Sequence, residues 1–370
     1  MKRNFMCAVA GMTAAVATGS LTRRVAAADK PIELSMTSSL SPDSLHSLAM
    51  TYWGKELEKR TGGQVKIGQM TWAGTLLKAD SLAQGIGRGI ADVGYAAASL
   101  NPSHMPMSNA VFPNFINEGT PWRNIHTELF RSVPEINAEW TKLNIRPLYF
   151  VEFPPQLLMT TFKTNGISDF KAKRMRAVGA SHYFVANLGG IPISIGAAET
   201  YTALQKGTVE GVSGNPAYTV TASKFHEVIK QAMNTRNGDY TGWLGAAINI
   251  DTYNRLPDSA KKVIAELEKD VPQHFNRLDR EASNKAFDTL KQKGIDIVQL
   301  SPETAKQWYK VINPPAIWDV YVKEAEARGL KPRPVLERLV AIAREHEAKH
   351  PGKTVVEQWA EANPGYVKVI

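Results

Sequence analysis

Cysteine is almost absent: the 370-residue chain has one, Cys7. A single thiol forms no internal disulfide and supplies no multi-thiolate zinc or iron–sulfur site. Beyond residue 28 no apolar run approaches the roughly 20 residues of a membrane helix, so the mature chain is expected to be soluble. There is no Gly-Lys-Ser/Thr phosphate loop, and Gly85-Ile86-Gly87-Arg88-Gly89 lacks the spacing of a dinucleotide fingerprint. Basic residues exceed acidic ones by 44 to 35, yet they form no stripe, and no nucleic-acid partner is expected. Internal repeats and low-complexity segments are also missing.

What is present reads as an ordinary globular protein: 43% apolar and 21% charged residues, with a length that suits two compact lobes. Residues 1–28 have the make-up of a cleavable export signal. Lys2 and Arg3 precede a small, apolar stretch from Phe5 to Leu21, and Ala26-Ala27-Ala28 offers a cleavage site. The lack of acidic residues leaves an amphipathic organelle presequence open as the alternative. Cys7 would leave with the leader, and with it any cysteine nucleophile. The leader's four positive charges (Lys2, Arg3, Arg23, Arg24) leave +5 of the chain's +9. A mildly basic, spread-out charge fits anionic ligands.

Strands and helices alternate along the chain. Ile32–Met36, Val65–Gly68, Ala91–Tyr95 and Pro147–Phe153 read as strands, with helices opening at Ser41-Pro42-Asp43, over Leu76–Gly87, and over Trp122–Leu143 with a break at Pro134. The pattern continues with strands over Lys173–Val178, Ile191–Ile195 and Gly242–Ile250. Helices are expected over Ser181–Leu188, Glu199–Lys206 and Lys224–Met233. From Pro257 onward the chain reads as mostly helix, in pieces that include Asp258–Lys269 and Pro272–Lys293, with one strand at Ile295–Leu300. The fold class is α/β: two lobes joined by a few crossing strands, with a helical C-terminal region. A ligand belongs in the crevice beyond the carboxyl ends of the strands.

Several motifs suggest chemistry and fall short of it. His346-Glu347-Ala348-Lys349-His350 spells the zinc-protease pattern, but it sits in the charged last turn of a helix before Pro351-Gly352 and lacks a third ligand. A secreted zinc-dependent hydrolase using these residues is the alternative function. Gly211-Val212-Ser213-Gly214-Asn215 resembles a serine nucleophile elbow with Asn215 in place of its last glycine. His46, His104, His126, His182, His226 and His274 are scattered without metal spacing, and most are expected at the surface or partly buried. No catalytic residue, metal or cofactor is assigned. Arg174 and Arg176 lie two apart on a strand, as a solvated face or as a grip on a carboxylate, which a guanidinium meets bidentately.

Five blocks together resemble the periplasmic solute-binding proteins of tripartite ATP-independent (TRAP) transporters, the DctP family. They are Glu58–Ile67 with Gly74-Thr75-Leu76, Gly89–Gly94, Asp169–Arg176 with Ala172 where the family has glycine, Leu188–Pro192, and Glu199–Gly211. The resemblance implies a two-lobe periplasmic-binding-protein-like fold, with hinge strands and a long helix spanning both lobes, that closes on organic acids. Expected boundaries are 1–28 for the signal peptide, 29–153 plus 241–281 for lobe I, and 154–240 plus 282–370 for lobe II. The resemblance places Arg176 at the carboxylate-binding arginine and Asn215 at the asparagine that completes the grip. Trp72, Tyr95, Phe153 and Gln156 are candidates for the pocket wall or for lobe packing alike. Where relatives for dicarboxylates often carry another arginine, Gln156-Leu157-Leu158-Met159-Thr160-Thr161 has none, which favours a monocarboxylate. The implied partners are the small and large TRAP membrane subunits, the implied compartment is the periplasm, and the protein is expected to be a monomer.

Overall fold

A computed structural model describes residues 30–111, 122–151, 156–236, 244–349 and 353–370. The expected leader, Phe153 and His350 lie outside the described residues. Among the described residues twelve strands run in chain order: β1 (Ile32–Thr37), β2 (Val65–Thr71), β3 (Val93–Ala97), β4 (Ile145–Val151), β5 (Gln156–Thr160), β6 (Arg174–Arg176), β7 (Ile191–Ile193), β8 (Gly211–Pro216), β9 (Gln231–Asn234), β10 (Leu244–Asn249), β11 (Asp296–Gln299) and β12 (Val367–Val369). They form two sheets, ordered β2-β1-β3-β10-β4 in lobe I and β12-β11-β9-β5-β8-β6-β7 in lobe II.

The central strands of each sheet are buried on both faces, as helices on either side require. In β4, Leu148, Tyr149 and Val151 enter one apolar cluster while Phe150 enters the other. In β5, Leu157 and Met159 face one cluster and Leu158 the opposite one. In β5 that period of two is the pleat of a strand read directly from its core, whereas in β4 the consecutive Leu148 and Tyr149 share a cluster where the ladder to β10 shifts register. Each sheet also holds one strand antiparallel to its neighbours. These are β10, between β3 and β4, and β5, between β8 and β9. Both are the strands that follow a passage between lobes, from β4 to β5 and from β9 back to β10. Gly245 shows how tightly β10 is seated, because a Cβ there would lie 1.9 Å from the Tyr149 carbonyl oxygen.

The helix Asp258–Gln292 joins the lobes. Its 35 residues span about 52 Å. Ile264, Leu267, Val271 and Phe275 bury in the lobe I core, and Ala286, Phe287 and Leu290 in the lobe II core. The sequence predicts two helices broken before Pro272, but the helix runs through it, with Val271 and Pro272 both buried. An interior proline costs about 3 kcal/mol, and packing at both ends of the helix outweighs it.

Other expectations are corrected. Residues 224–233 are not a helix: a short turn of 3₁₀ helix at Phe225–Glu227 leads into β9, whose four residues are all buried between β5 and β11. Ladders on both sides override the local helical pattern. The first helix starts at Leu45, capped by the Ser44 side chain, rather than at Ser41. The C-terminal helices divide between the lobes. Trp308 of helix Pro302–Ile312 enters a lobe II cluster, whereas Trp318, Val322, Leu336, Leu339 and Ala343 pack with Ile86, Trp140 and Phe150 of lobe I. Helices Pro314–Glu326 and Pro332–Lys349 thus cover lobe I, although they fall in the segment expected to belong to lobe II. Among the described residues no helix is long and apolar enough to cross a membrane.

Candidate functional site: an arginine at the carboxyl end of β6

β6 separates its side chains by face and by depth. Met175 is buried in the lobe II core. Arg174 and Arg176 share the other side, but only Arg174, at the entry of the strand, is exposed, and it donates to the Gly207 carbonyl at 2.9 Å. Arg176, at the exit, is 8% exposed. Its Nη1 donates to Asn215 Oδ1 at 2.9 Å, and its Nε to the Ile195 carbonyl at 3.3 Å. These contacts fix the plane of the guanidinium. Asn215 reaches it from β8, which runs parallel to β6 and carries Gly214 at φ 75° immediately before. A left-handed backbone of this kind suits glycine and turns the strand's last residues out of plain extension. Because Asn215 Oδ1 accepts from Arg176, its Nδ2 hydrogens point away, and among the described residues they have no partner.

Two helices begin beside this pair. Ala180–Asn187 starts after Gly179 and Ala197–Gln205 after Gly196, and neither has a side chain capping its first turn. Ile195, which holds Arg176 Nε, directly precedes Gly196. The partial positive charge of two helix starts adds to that of the guanidinium. Gln156 opens β5 opposite Pro216, with Leu157 opposite Asn215, so it lies beside the same corner of the sheet. Two of the expected site residues, Arg176 and Asn215, therefore meet on lobe II, whereas Gln156, paired with Pro216, falls on the opposite face of the sheet from Asn215.

Tyr95 and Trp72 belong to lobe I. Tyr95 is 7% exposed within the core, and Trp72 packs, half-buried, against that cluster. Tyr95 lies edge-on to His46, with ring centroids 5.3 Å apart, and His46 meets Phe275 of the long helix at 5.0 Å. His46 was expected to be surface or partly buried. It is 8% exposed, and burial pushes its pKa down to about 4. His126 is also buried, its pKa lowered by burial to about 3.

The other motifs resolve into structure. Ser213 is 1% exposed inside β8, with no strand-to-helix elbow around it. His346 occupies the last turn of Pro332–Lys349, and among the described residues no group of three or more His, Cys, Asp or Glu is placed to hold a metal. A crevice of about 310 Å³ on lobe I is lined by Arg131, Arg146, Tyr253 and Glu268. Its charges are already engaged, since Arg131 pairs with Glu268 at 2.6 Å and Arg146 lies 4.4 Å over the Tyr253 ring.

A sequence model of the bacterial extracellular solute-binding proteins, family 7 (DctP), matches residues 36–323. The chain belongs to that family. A curated relative, the C4-dicarboxylate-binding periplasmic protein DctP of Rhodobacter capsulatus, is 27% identical over 128 residues, which is 34% of this chain and 38% of that relative. Two solved structures from Desulfovibrio salexigens share the fold, and both are TRAP periplasmic solute-binding proteins. One, with the C-terminus of a symmetry mate in its ligand-binding site, has a TM-score of 0.74 at 22% identity and covers 87% of this chain and 98% of its own. The other, with bound orotic acid, has a TM-score of 0.68 at 19% identity, covering 86% and 99%.

Within this family 7 chain the blocks that carried the resemblance mostly hold the scaffold. Thr61 Oγ1 donates to the Leu57 carbonyl at 2.8 Å and accepts from Val65 N–H at 3.2 Å, stopping one helix and starting β2. The Asp92 carboxylate accepts from Ser35 N–H, Ser35 Oγ and Thr252 Oγ1, tying β1 and the helix after β10 to the start of β3. Glu210 accepts from Lys173 Nζ at 2.9 Å, which holds its carboxyl below the usual range. Of the quoted block residues, Arg176 stands apart as a buried cation that donates to Asn215 and to the Ile195 carbonyl.

Proposed function

We propose that this protein is an exported, non-catalytic ligand carrier. It captures an organic acid, a monocarboxylate in preference, between its lobes and passes it to the small and large membrane subunits of a TRAP-type transporter. The observation that carries this reading is the Arg176–Asn215 bond of 2.9 Å on a guanidinium only 8% exposed. Such a fork, fixed in plane, offers a carboxylate charge-assisted bonds, and the outward amide of Asn215 adds another donor. Closing the lobes removes water and strengthens each of these. The curated relative is named for C4 dicarboxylates and one structural neighbour holds orotic acid, which supports a carboxylate as the shared chemistry. The absence of a second arginine in Gln156–Thr161 supports a single carboxylate.

A thermal-shift screen of small organic acids tests this. A true ligand at about 1,000 times its Kd adds about 4 kcal/mol to stability. Arg176→Ala is expected to abolish that shift, since loss of one partner of a desolvated charge pair costs about 2–5 kcal/mol. An unchanged shift in the variant would contradict the reading. A shift that requires zinc and vanishes with a chelator would favour the hydrolase alternative instead.

A further inference from the structure

The lobe I wall holds a polar atom without an evident purpose. His46 Nε2 is buried, and among the described residues it has no hydrogen-bond partner. Leaving a buried donor or acceptor unmade costs about 1–3 kcal/mol, and such groups call for a specific explanation. The ring stands in the first turn of the helix Leu45–Arg60, on the side where β1 and β3 end, which is where α/β sheets receive ligands. Tyr95 and Phe275 flank it at 5.3 and 5.0 Å.

A chain of contacts links this ring to the lobe II site. Phe275 lies one helical turn before Asp279, whose charge acts on the Tyr218 hydroxyl. Tyr218, three residues after Asn215, leaves lobe II to pack against the lobe I cluster that contains Tyr95 and Phe275. The segment bearing Asn215 therefore runs on to pack against the same lobe I core that holds the rings around His46. We infer that His46 is a specificity-determining residue, whose Nε2 meets a neutral hydrogen-bonding substituent (a hydroxyl, oxo or lactam group) on the acid anchored at Arg176. This rests on the reading of Arg176 as the carboxylate anchor. Burial keeps the imidazole neutral, so it offers one donor and one acceptor and no charge for a second carboxylate.

Matched probes test the inference: lactate against propanoate, and pyroglutamate against cyclopentanecarboxylate. Each pair differs in the polar substituent and shares the carboxylate. Calorimetric titration of wild type, His46→Phe, His46→Gln and Arg176→Ala is compared, with the ligand-free melting temperature of each as the folding control. Wild type is expected to prefer the polar member of a pair by about tenfold or more, because its loss leaves a buried group unpaired. His46→Phe should erase that preference while holding the apolar member within about threefold of wild type, and His46→Gln should retain part of it. Equal weakening of both members, which a merely structural role produces, would overturn the inference, and so would an unaltered preference. If those results accompany total loss in Arg176→Ala, the carboxylate reading stands and His46 alone is dismissed. Wild-type binding of none of the four acids, or unimpaired binding by Arg176→Ala, would remove the carboxylate reading itself.

Discussion

The two lobes bring opposite chemistry to their shared boundary. Lobe II contributes a buried cation, a fixed amide and two uncapped helix starts. Lobe I contributes aromatic rings around an imidazole that burial keeps neutral. On the proposed reading, charge would recognise the feature common to all organic acids, and shape with a single neutral hydrogen bond would separate one acid from the next.

The largest break in this comparison is expected from acid. The folded pKa of His46 lies at about 4, below its ordinary value of 6.5, so the unfolded chain binds more protons between those values. The stability contributed by keeping it neutral is whole above pH 6.5 and is lost as pH falls towards 4, amounting to about 3 kcal/mol. His126, lowered to about 3 for the same reason, extends the window downward. Both belong to lobe I, and the lobe II histidines His182 and His226 are exposed or half-buried. Hydrogen exchange followed from pH 7 to 4 should therefore show lobe I amides losing protection first. Uniform loss in both lobes would contradict the asymmetry.

Next in size is Asn215→Ala, which removes the acceptor that orients Arg176 and a donor to the ligand. A bond to a charged group is worth about 1.5–3 kcal/mol, so titration of an acid that binds wild type should weaken by about tenfold or more. Smaller still is Ala172→Gly. Ala172 has φ 60°, where the resemblance expects glycine, and relief of that left-handed strain should raise stability by about 0.5–1 kcal/mol in urea denaturation. Least is Arg174→Ala. This exposed neighbour of Arg176 should change ligand affinity by less than about 0.5 kcal/mol, and a larger loss would move the grip along the strand.

Much of this was legible in the sequence. Short strands that end at glycine-stopped helices announced the α/β lobes, and the block around Arg176 pointed to the guanidinium that the fold buries beside Asn215. The failures share a cause. Residues 224–233 carry a helical pattern that β5 and β11 override by pairing on both sides of Gln231–Asn234. Pro272 signals a break that two packed lobes suppress. Helices Pro314–Glu326 and Pro332–Lys349 return to lobe I because their apolar stripes meet Trp140 and Phe150, a long-range match that no local pattern encodes. His46 was unreadable for the same reason, since its meaning comes from Tyr95 and Phe275, residues far away in the chain.

The most direct test is a crystal structure of the protein with the acid that gives the largest thermal shift in the screen. The expected result is a carboxylate held by the Arg176 guanidinium and Asn215 Nδ2, with lobe I closed over the remainder of the molecule. An acid bound elsewhere, with Arg176 still engaged only by protein groups, would contradict the account.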